Sequence, residues 1–398
     1  MQAHPPSTKA GSVTVVLWTI PALYLLLVGA EFMAMTQLSL ALTDARRSAL
    51  AVGVVGSALW LGIFAASTRA HAVVERFGHA RSLGVATAFS TLALASMSLH
   101  DRYALWVAGA AALGLGAGVV WVAGESWLAE VAPASRRGFF VGMFETAVGV
   151  GMLAGPALIP PARELGVAPL HVALVLMLAA LAGCALLWHQ PGPALGRPGA
   201  GSDGGAPADW RALALPLAGV CVVAGLMESG VSSMLPSISM RMGFPLNAAA
   251  LLGATIGAGS ALLQAPFGLL ADRAGLARTM ALAWGLLLLA AAALLLWADS
   301  PRPVLWFSGF VLGGVGGAVY TLVVIELGHR LGGVGLVKAM GLLVTAYTLG
   351  TAAGPVAGGW LFDHYGLRGL AAALLCFAMA GALVARRAGQ GRLAAAVI

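Results

Sequence analysis

Twelve long apolar segments, separated by short polar breaks, run the length of this chain. Each holds about 20 residues or more, which is enough for a helix to cross a hydrocarbon core about 30 Å thick. The segments are continuous in Leu, Ala, Val and Gly, so they predict helices and not the alternating strands of a barrel. The predicted spans are 13–36, 49–69, 81–99, 103–131, 138–160, 168–189, 211–235, 247–270, 278–297, 303–328, 336–361 and 368–386.

The composition agrees with this pattern. Of 398 residues only 9% are charged and 60% are hydrophobic, and the mean hydropathy is +0.92. A soluble domain has about a quarter of its residues charged. The chain is therefore predicted to be an all-α polytopic membrane protein. Its three cysteines lie in apolar segments at spacings that fit no metal or redox site, so we expect neither a metal nor a cofactor.

A polar segment divides the spans into two groups of six. In residues 190–210, ten of 21 residues are Gly or Pro, which is typical of a flexible linker. The predicted domains are therefore 1–189 and 211–398, each a bundle of six helices.

The basic residues predict the orientation of these bundles. With both termini inside, fifteen Lys and Arg residues fall in inside segments and seven in outside loops. The positive-inside rule then favours cytoplasmic N- and C-termini and a cytoplasmic linker. Because topology accounts for the net charge of +7, the charge does not indicate a nucleic-acid partner.

An internal repeat relates the two halves. Residues 71–81 align without gaps to residues 268–278, at an offset of 197, and each segment follows the second helix of its half. Repeated bundles of six helices are typical of transporters whose halves rock about a central site.

The repeated loops resemble the signature loop of the major facilitator superfamily, G-x-L-A-D-R-x-G-R-R. The second copy carries Gly268, Asp272, Arg273, Gly275 and Arg278, and the first carries Glu75, Arg76, Gly78 and Arg81. The resemblance implies two six-helix bundles whose first, fourth, seventh and tenth helices line a cavity, and a gate latch at these loops. The alternative is a basic turn that only sets topology.

A second superfamily pattern, GxxxGPxxGG, is complete in the eleventh span and partial in the fifth. It comprises Gly350, Gly354, Pro355, Gly358 and Gly359, and then Gly151, Gly155 and Pro156. Small residues four apart let helices approach closely, so we expect the fifth and eleventh helices to pack together. Segments 124–130, 261–273 and 350–366 are most similar to the YcaD-like branch of the superfamily.

Acidic residues inside the spans are the strongest functional signal. Apart from Glu130 at the very end of the fourth span, five of the eight glutamates lie there: Glu31, Glu125, Glu145, Glu228 and Glu326. An aspartate in mid-membrane costs roughly 2.5–3.5 kcal/mol on insertion scales. Each glutamate should therefore face an aqueous cavity, bond to a partner or be protonated.

The positions of four of these acids predict a central site. Glu31, Glu125, Glu228 and Glu326 occur in the first, fourth, seventh and tenth spans, and Glu31 and Glu228 are 197 residues apart. We expect the latter two to face each other, where they could exchange protons or attract a cation. The alternative is hydrogen bonding between helices in their protonated forms. Since no Lys or Arg lies mid-span, a strongly anionic substrate is disfavoured.

Aromatic residues and a fifth acid extend this candidate site. Tyr24, Trp121 and Tyr320 lie near the acids and could hold an organic cation through its charge and its apolar body, or could simply pack between helices. Glu125 and Glu145 both lie in the inward third of their helices. There they could couple to the gate, or pair with basic residues 136 and 137.

These observations predict a secondary transporter of the bacterial inner membrane that works by alternating access. Its expected activity is proton-coupled export of cationic or neutral amphipathic small organic molecules, by a monomer. The sequence contains no phosphate-binding loop and no set of nucleophile, base and orienting group, so an enzyme is not expected. Two alternatives stay open: proton-linked uptake of a small neutral metabolite, and a non-transporting sensor or assembly partner on the same scaffold.

Overall fold

The computed structural model describes residues 10–133, 137–190, 210–299, 302–331 and 333–395, and all regular structure in these ranges is helical. Most of the predicted linker, with basic residue 136, lies outside the described residues. The helices are α1 Ala10–Asp44, α2 Ala49–Phe77, α3 His79–Leu99, α4 Tyr103–Val131, α5 Arg137–Ala157, α6 Ile159–Glu164, α7 Pro169–Leu187, α8 Trp210–Ser232, α9 Leu235–Arg241, α10 Leu246–Ala274, α11 Leu276–Leu296, α12 Arg302–Arg330 and α13 Gly333–Ala395.

Within the described ranges, eleven helices are long and apolar enough to cross a membrane, and the last candidate supplies two spans. The backbone of α13 leaves the helical region at Gly366, where φ is 63° and ψ is −163°. On either side of this break, Gly350 packs against Val222 of α8 and Val384 packs against Gly219 of the same helix. The chain therefore folds back at Gly366, which confirms the predicted twelve spans.

Helix boundaries repeat between the two halves. Helices α2 and α10 both have 29 residues, α3 and α11 both have 21, and each pair begins 197 residues apart. The turns between them contain Gly78 and Gly275, each with a positive φ that favours glycine. Helices α4 and α12 also match in length, at an offset of 199, which makes Trp121 and Tyr320 equivalent.

Short helices α6 and α9 were not predicted. Each has a proline near its start, Pro160 in α6 and Pro236 in α9, where the missing N–H removes no helical bond. Helix α1 also runs on to Asp44 instead of ending near residue 36. Its polar residues Thr36 and Gln37 are buried by neighbouring helices, so the polar sequence there does not end the helix.

The Gly-Pro segments do not pack on each other, and that expectation is wrong. In α5, Gly155 lies against Gly29 of α1, and in α13, Gly350 lies against Val222 of α8. Each segment thus brings a helix close to the first helix of its own half. The spacing of small residues predicts close packing but does not name the partner.

Two helix pairs join the halves. Pro355 of α13 lies against Gly53 of α2, where an added Cβ would meet the Pro355 backbone. Between α5 and α10, a Cβ on Gly257 would lie 2.7 Å from the Cα of Leu153. Both interfaces bring backbones together at glycine, a geometry that allows packed helices to move against one another.

Hydrogen bonds between the halves lie toward one end of the bundle, which the charge distribution predicts to be outside; we call it the outer end. In the described part of the chain their acceptors are Ser57, Ser237, Asp363 and the Arg47 carbonyl. No such bond joins the described residues near the opposite, inner end. The outer end is closed, which corresponds to an inward-facing arrangement.

Candidate functional site

Three aromatic rings form the N-terminal side of the candidate site. The Tyr24 and Phe144 ring centroids are 4.5 Å apart, and Trp121 is 6.0 Å from each. The Tyr24 hydroxyl donates to the Val120 carbonyl, and the Trp121 carbonyl lies 3.2 Å from the same oxygen. Tyr24 is only 1% exposed, whereas Trp121 is 38% exposed. The Trp121 ring is therefore available to a ligand. The Tyr24 hydrogen bond holds α1 against α4, the helix that carries Trp121.

A glycine makes this arrangement possible. A Cβ added to Gly124 would lie 2.7 Å from the Tyr24 Cζ atom, so no other residue fits without moving the ring. The Tyr24 ring of α1 thus packs directly on the backbone of α4. This contact sets the distance between the two helices that carry Glu31 and Glu125.

Glu125 and Glu145 lie together beside these rings. Both side chains are exposed, and they interact electrostatically with each other and with Tyr24. Trp121 lies one turn before Glu125 on the same helix. Two carboxyl groups this close disfavour double ionisation, so a proton or an organic cation between them would be stabilised.

Glu31 lies in a small cavity inside the N-terminal half, which Tyr24 and Trp121 also line. The cavity measures about 20 Å³, room for about one water molecule. Its lining residues come from α1, α3, α4 and α7 and include Ser90, Leu113, Ala117 and Met177. Among the described residues, Glu31 has no hydrogen-bond partner. This acid is therefore partly enclosed and forms no hydrogen bond with the described residues.

Glu228 occupies the equivalent place in the C-terminal half and has a partner. The Tyr347 hydroxyl donates a hydrogen bond to its carboxylate. The Tyr320 and Tyr347 rings are 4.8 Å apart. A Cβ on Gly316 would lie 2.8 Å from the Glu228 Cβ atom, so this acid packs on the backbone of α12. The residues that border Glu31 belong to the N-terminal half, and those that contact Glu228 belong to the C-terminal half. That the two acids face each other stays a prediction.

One electrostatic interaction relates the two sides of the site. Tyr320 of α12 interacts electrostatically with Glu125 of α4. The exposed acids of the N-terminal half and the tyrosines of the C-terminal half therefore border the same central space. We refer to Tyr24, Trp121, Glu125, Phe144, Glu145 and Tyr320 as the central cluster.

Glu326 does not belong to the central cluster. It forms an ion pair with Arg330 one turn along α12, near the inner end, and is 7% exposed. The side chain of residue 137 lies outside the described side chains, so a pair between it and Glu145 is not observed. The acids that the sequence grouped together thus divide into three kinds: clustered, enclosed and ion-paired.

The second copy of the loop motif makes no polar contact with the part of the chain that the structure describes. Asp272, Arg273 and Arg278 are exposed, and they form no hydrogen bond or ion pair with any described residue. A Cβ on Gly268 would have open space around it. Only Gly275 has a requirement for glycine, through its φ of 87°.

The first copy of the motif makes only local contacts. Glu75 lies 3.1 Å from His71 on the same helix, and the Arg76 guanidinium lies over the Phe77 ring. Arg81 is exposed, and Gly78 supplies the positive φ of the turn. The remaining residues of the Gly-Pro segments, Pro156, Gly354, Gly358 and Gly359, are buried at helix contacts.

Sequence reasoning missed Phe144 and Tyr347. Tyr347 is one of only five tyrosines and lies within a span, three residues before Gly350. A rare polar aromatic residue inside a span could have been singled out from the sequence as a candidate site residue. Nothing in the sequence distinguishes Phe144 from the other phenylalanines, because its role depends on how α5 is rotated about its axis.

Comparison with known proteins agrees with this architecture. The chain is 22% identical over 325 residues to the uncharacterized MFS-type transporter YfkF of Bacillus subtilis (strain 168), covering 80% of this chain and 81% of that one. A solved structure of a D-xylose-proton symporter has a TM-score of 0.75 at 17% identity, covering 94% of this chain and 97% of that one. A mutant of nucleoside transporter NupG gives 0.74 at 11% identity, with coverages of 94% and 99%.

A third solved structure is that of a bacterial homolog to the human lysosomal transporter Spinster, in an inward-facing and unoccupied conformation. Its TM-score is 0.72 at 13% identity, covering 96% of this chain and 98% of that one. The family model described as Major Facilitator Superfamily matches residues 20–323 and 217–392, which together span nearly the whole chain. This protein therefore belongs to the Major Facilitator Superfamily of membrane transporters.

Proposed function

We propose that this transporter exports cationic or neutral amphipathic small organic molecules in exchange for protons. The observation that carries the proposal is the central cluster, in which Glu125 and Glu145 lie beside the exposed Trp121 ring and opposite Tyr320. Carboxylates attract a cationic group, and aromatic faces bind both cations and apolar bodies. No Lys or Arg lies mid-span to bind an anionic substrate.

Competition for the acids would couple the two fluxes. When the site is empty, the mutual repulsion of Glu125 and Glu145 favours binding of a proton to one of them. An organic cation supplies the same neutralisation, so its arrival displaces the proton. Exchange at one site, combined with alternating access, moves substrate and proton in opposite directions.

Glu31 and Glu228 are proposed as further proton sites. A carboxyl group among helices is stable when neutral, and both of these acids are only partly exposed. Glu228 carries its hydrogen bond from Tyr347 in addition. The two acids differ in that bond.

The test is proton movement in sealed inverted vesicles carrying an imposed pH gradient, while organic cations and neutral metabolites are added. We expect cations to collapse the gradient with the parent protein and not with the Glu125→Gln and Glu145→Gln double variant. Glu164→Gln is the matched control, since Glu164 is an exposed acid of α6 away from the cluster. No response to any compound, from protein shown to be folded and inserted, would reject proton antiport and favour a sensor or assembly role.

Proton-linked uptake of a small neutral metabolite is the second candidate. It is favoured by the likeness to a D-xylose-proton symporter and to a nucleoside transporter, although that likeness extends only to the fold. The direction of substrate movement separates the candidates: export predicts accumulation inside inverted vesicles, and uptake predicts release from them.

Three other assignments belong to the same proposal. The bacterial inner membrane is the proposed location, supported by the bacterial relative YfkF. The YcaD-like branch is proposed from segments such as 350–366. A monomer is proposed because each half already buries its first helix among its own neighbours; cross-linking in membranes would test it.

A further inference from the structure

The start of helix α2 receives its cap from the other half of the protein. The first N–H groups of a helix have no acceptor within the helix and need one elsewhere. In α2 the Ala49 and Leu50 N–H groups both donate to the Asp363 carboxylate of α13, each at 2.8 Å. The Ala51 N–H donates to Ser48 at 3.1 Å. One of these three bonds is thus local, and two cross the interface.

The charge of Asp363 suits this position. The N-terminus of a helix carries a partial positive charge, which a carboxylate stabilises. Arg241 of α9 adds a second charge nearby: partial burial lowers the pKa of Arg241, and the Asp363 carboxylate raises it. Arg241 also donates to the Arg47 carbonyl of the N-terminal half. An acid and a base from one half therefore hold the same loop of the other.

A third bond completes the contact. The Thr43 hydroxyl donates to Ser237 at 2.7 Å, joining the end of α1 to α9. All of these contacts cross between the halves at the outer end, and all would break if that end opened. By contrast, the ion pair between Asp299 and Arg368, also at the outer end, lies within the C-terminal half and would survive opening.

We propose that Asp363 is the outer latch of this transporter: its carboxylate holds the N-terminus of α2 and must release it before the outward-facing arrangement forms. Opening transfers the Ala49 and Leu50 N–H groups from Asp363 to water. The latch thereby stabilises the inward-facing arrangement, in which the central cluster is closed from outside. It acts through the helix contact and does not touch substrate.

The test measures the distance between spin labels across the outer end, in lipid. Labels are placed by Leu165→Cys in the N-terminal half and Leu296→Cys in the C-terminal half, both exposed, with Cys376→Ser to remove the exposed native thiol. Asp363→Asn keeps the size of the side chain and removes its charge. We expect the outward-open fraction to rise by about tenfold, the factor that a change of about 1.4 kcal/mol produces.

Asp299→Asn is the matched control and should leave the distances unchanged. Arg241→Gln is the second variant, and we expect it to shift the distances in the same direction, which decides the matter if Asp363→Asn does not fold. Unchanged distances in the Asp363 or Arg241 variant, or an equal shift in the Asp299 variant, would overturn the proposal. Because no substrate is needed, this result is independent of the proposed proton-coupled export.

Discussion

The two halves share one helical scaffold but treat their buried acids differently. Glu31 and Glu228 occupy positions 197 residues apart on equivalent helices. Glu228 accepts a hydrogen bond from Tyr347, whereas Glu31 has no protein partner among the described residues. At the offset of the Gly-Pro segments, Tyr347 corresponds to Val148 in α5, which has no hydroxyl to donate. The repeated fold therefore contains one acid that accepts a tyrosine hydrogen bond, Glu228, and one without a hydrogen bond to the described residues, Glu31.

The tyrosines differ between the halves in a complementary way. Tyr24 of the first helix donates to the backbone of α4, and its counterpart at offset 197 is Cys221. A tyrosine hydroxyl therefore supports helix packing in the N-terminal half, and a different one bonds to an acid in the C-terminal half. The difference indicates that protonation of Glu31 changes no hydrogen bond to a described residue, whereas protonation of Glu228 weakens the bond that it accepts from Tyr347.

The largest expected effect follows from this contrast. Glu31→Gln mimics a permanently protonated acid, and we expect substrate-driven proton movement to fall by about tenfold or more. Glu228→Gln keeps an oxygen acceptor for Tyr347 and should lower it less. Both are measured in the vesicle assay with an imposed pH gradient, on protein with unchanged thermal unfolding. If the Glu228 variant stops proton movement and the Glu31 variant does not, Glu31 is not the acid that matters more for proton movement.

Tyr347→Phe would make the C-terminal half resemble the N-terminal half. It leaves Glu228 without its donor, so we expect a loss of about 1.5–3 kcal/mol in the free energy of unfolding, the range for hydrogen bonds to charged groups. Tyr24→Phe removes a donor to a neutral carbonyl and should cost only about 0.5–1.5 kcal/mol. Denaturation in detergent compares the two variants. Equal losses would mean that the bond to Glu228 is no stronger than one to a carbonyl.

Alanine substitutions of two glycines, Gly124 beside Tyr24 and Gly317 beside Glu228, should lower the stability unequally. Gly124→Ala places a methyl group against the buried Tyr24 ring, and overpacking of this kind costs about 1–3 kcal/mol. Gly317→Ala meets the amide end of Gln264, 2.8 Å away, which can rotate aside. We expect the first variant to unfold at a clearly lower temperature and the second to stay close to the parent. A lower temperature for Gly317→Ala would show that Gln264 is fixed.

Sequence reasoning reached the spans, the repeat and the identity of the acids because each depends on a local property of the chain. Apolar length predicts a span, and a motif at offset 197 predicts equivalent helices. The turn at Gly366 was also expected, since the eleventh and twelfth predicted spans end and begin around it. These are features that hydropathy and glycine positions report directly.

Rotation of each helix about its axis was not accessible in the same way. The repeat places Glu31 and Glu228 at equivalent depths, but a small rotation decides whether an acid faces the other half or its own. The Gly-Pro spacing likewise predicts a close contact without naming its partner. Tyr347 and Phe144 join the site only through such rotations, and Glu326 is removed from it by pairing with Arg330.

The smallest expected effect concerns one turn that the halves build from different residues. After α1, Arg46 has a φ of 54°, and at the same offset of 197, Gly243 after α9 has a φ of 82°. The flanking bonds correspond too, from Arg47 to the Leu42 carbonyl at 2.9 Å and from Phe244 to that of Ser239 at 3.0 Å. Both helices therefore end in the same left-handed cap, which favours glycine.

Exchanging the residues should shift stability in opposite directions. Arg46→Gly relieves a left-handed backbone that costs an ordinary residue roughly 1–2 kcal/mol, so we expect a gain of up to about 1 kcal/mol once glycine's greater freedom in the unfolded chain is subtracted. Gly243→Ala should lose about 1 kcal/mol at the equivalent position. Arg46→Ala is the control for loss of the arginine side chain and should give no gain. A gain with alanine equal to that with glycine would mean that the side chain, and not the backbone, is the source of strain in this turn.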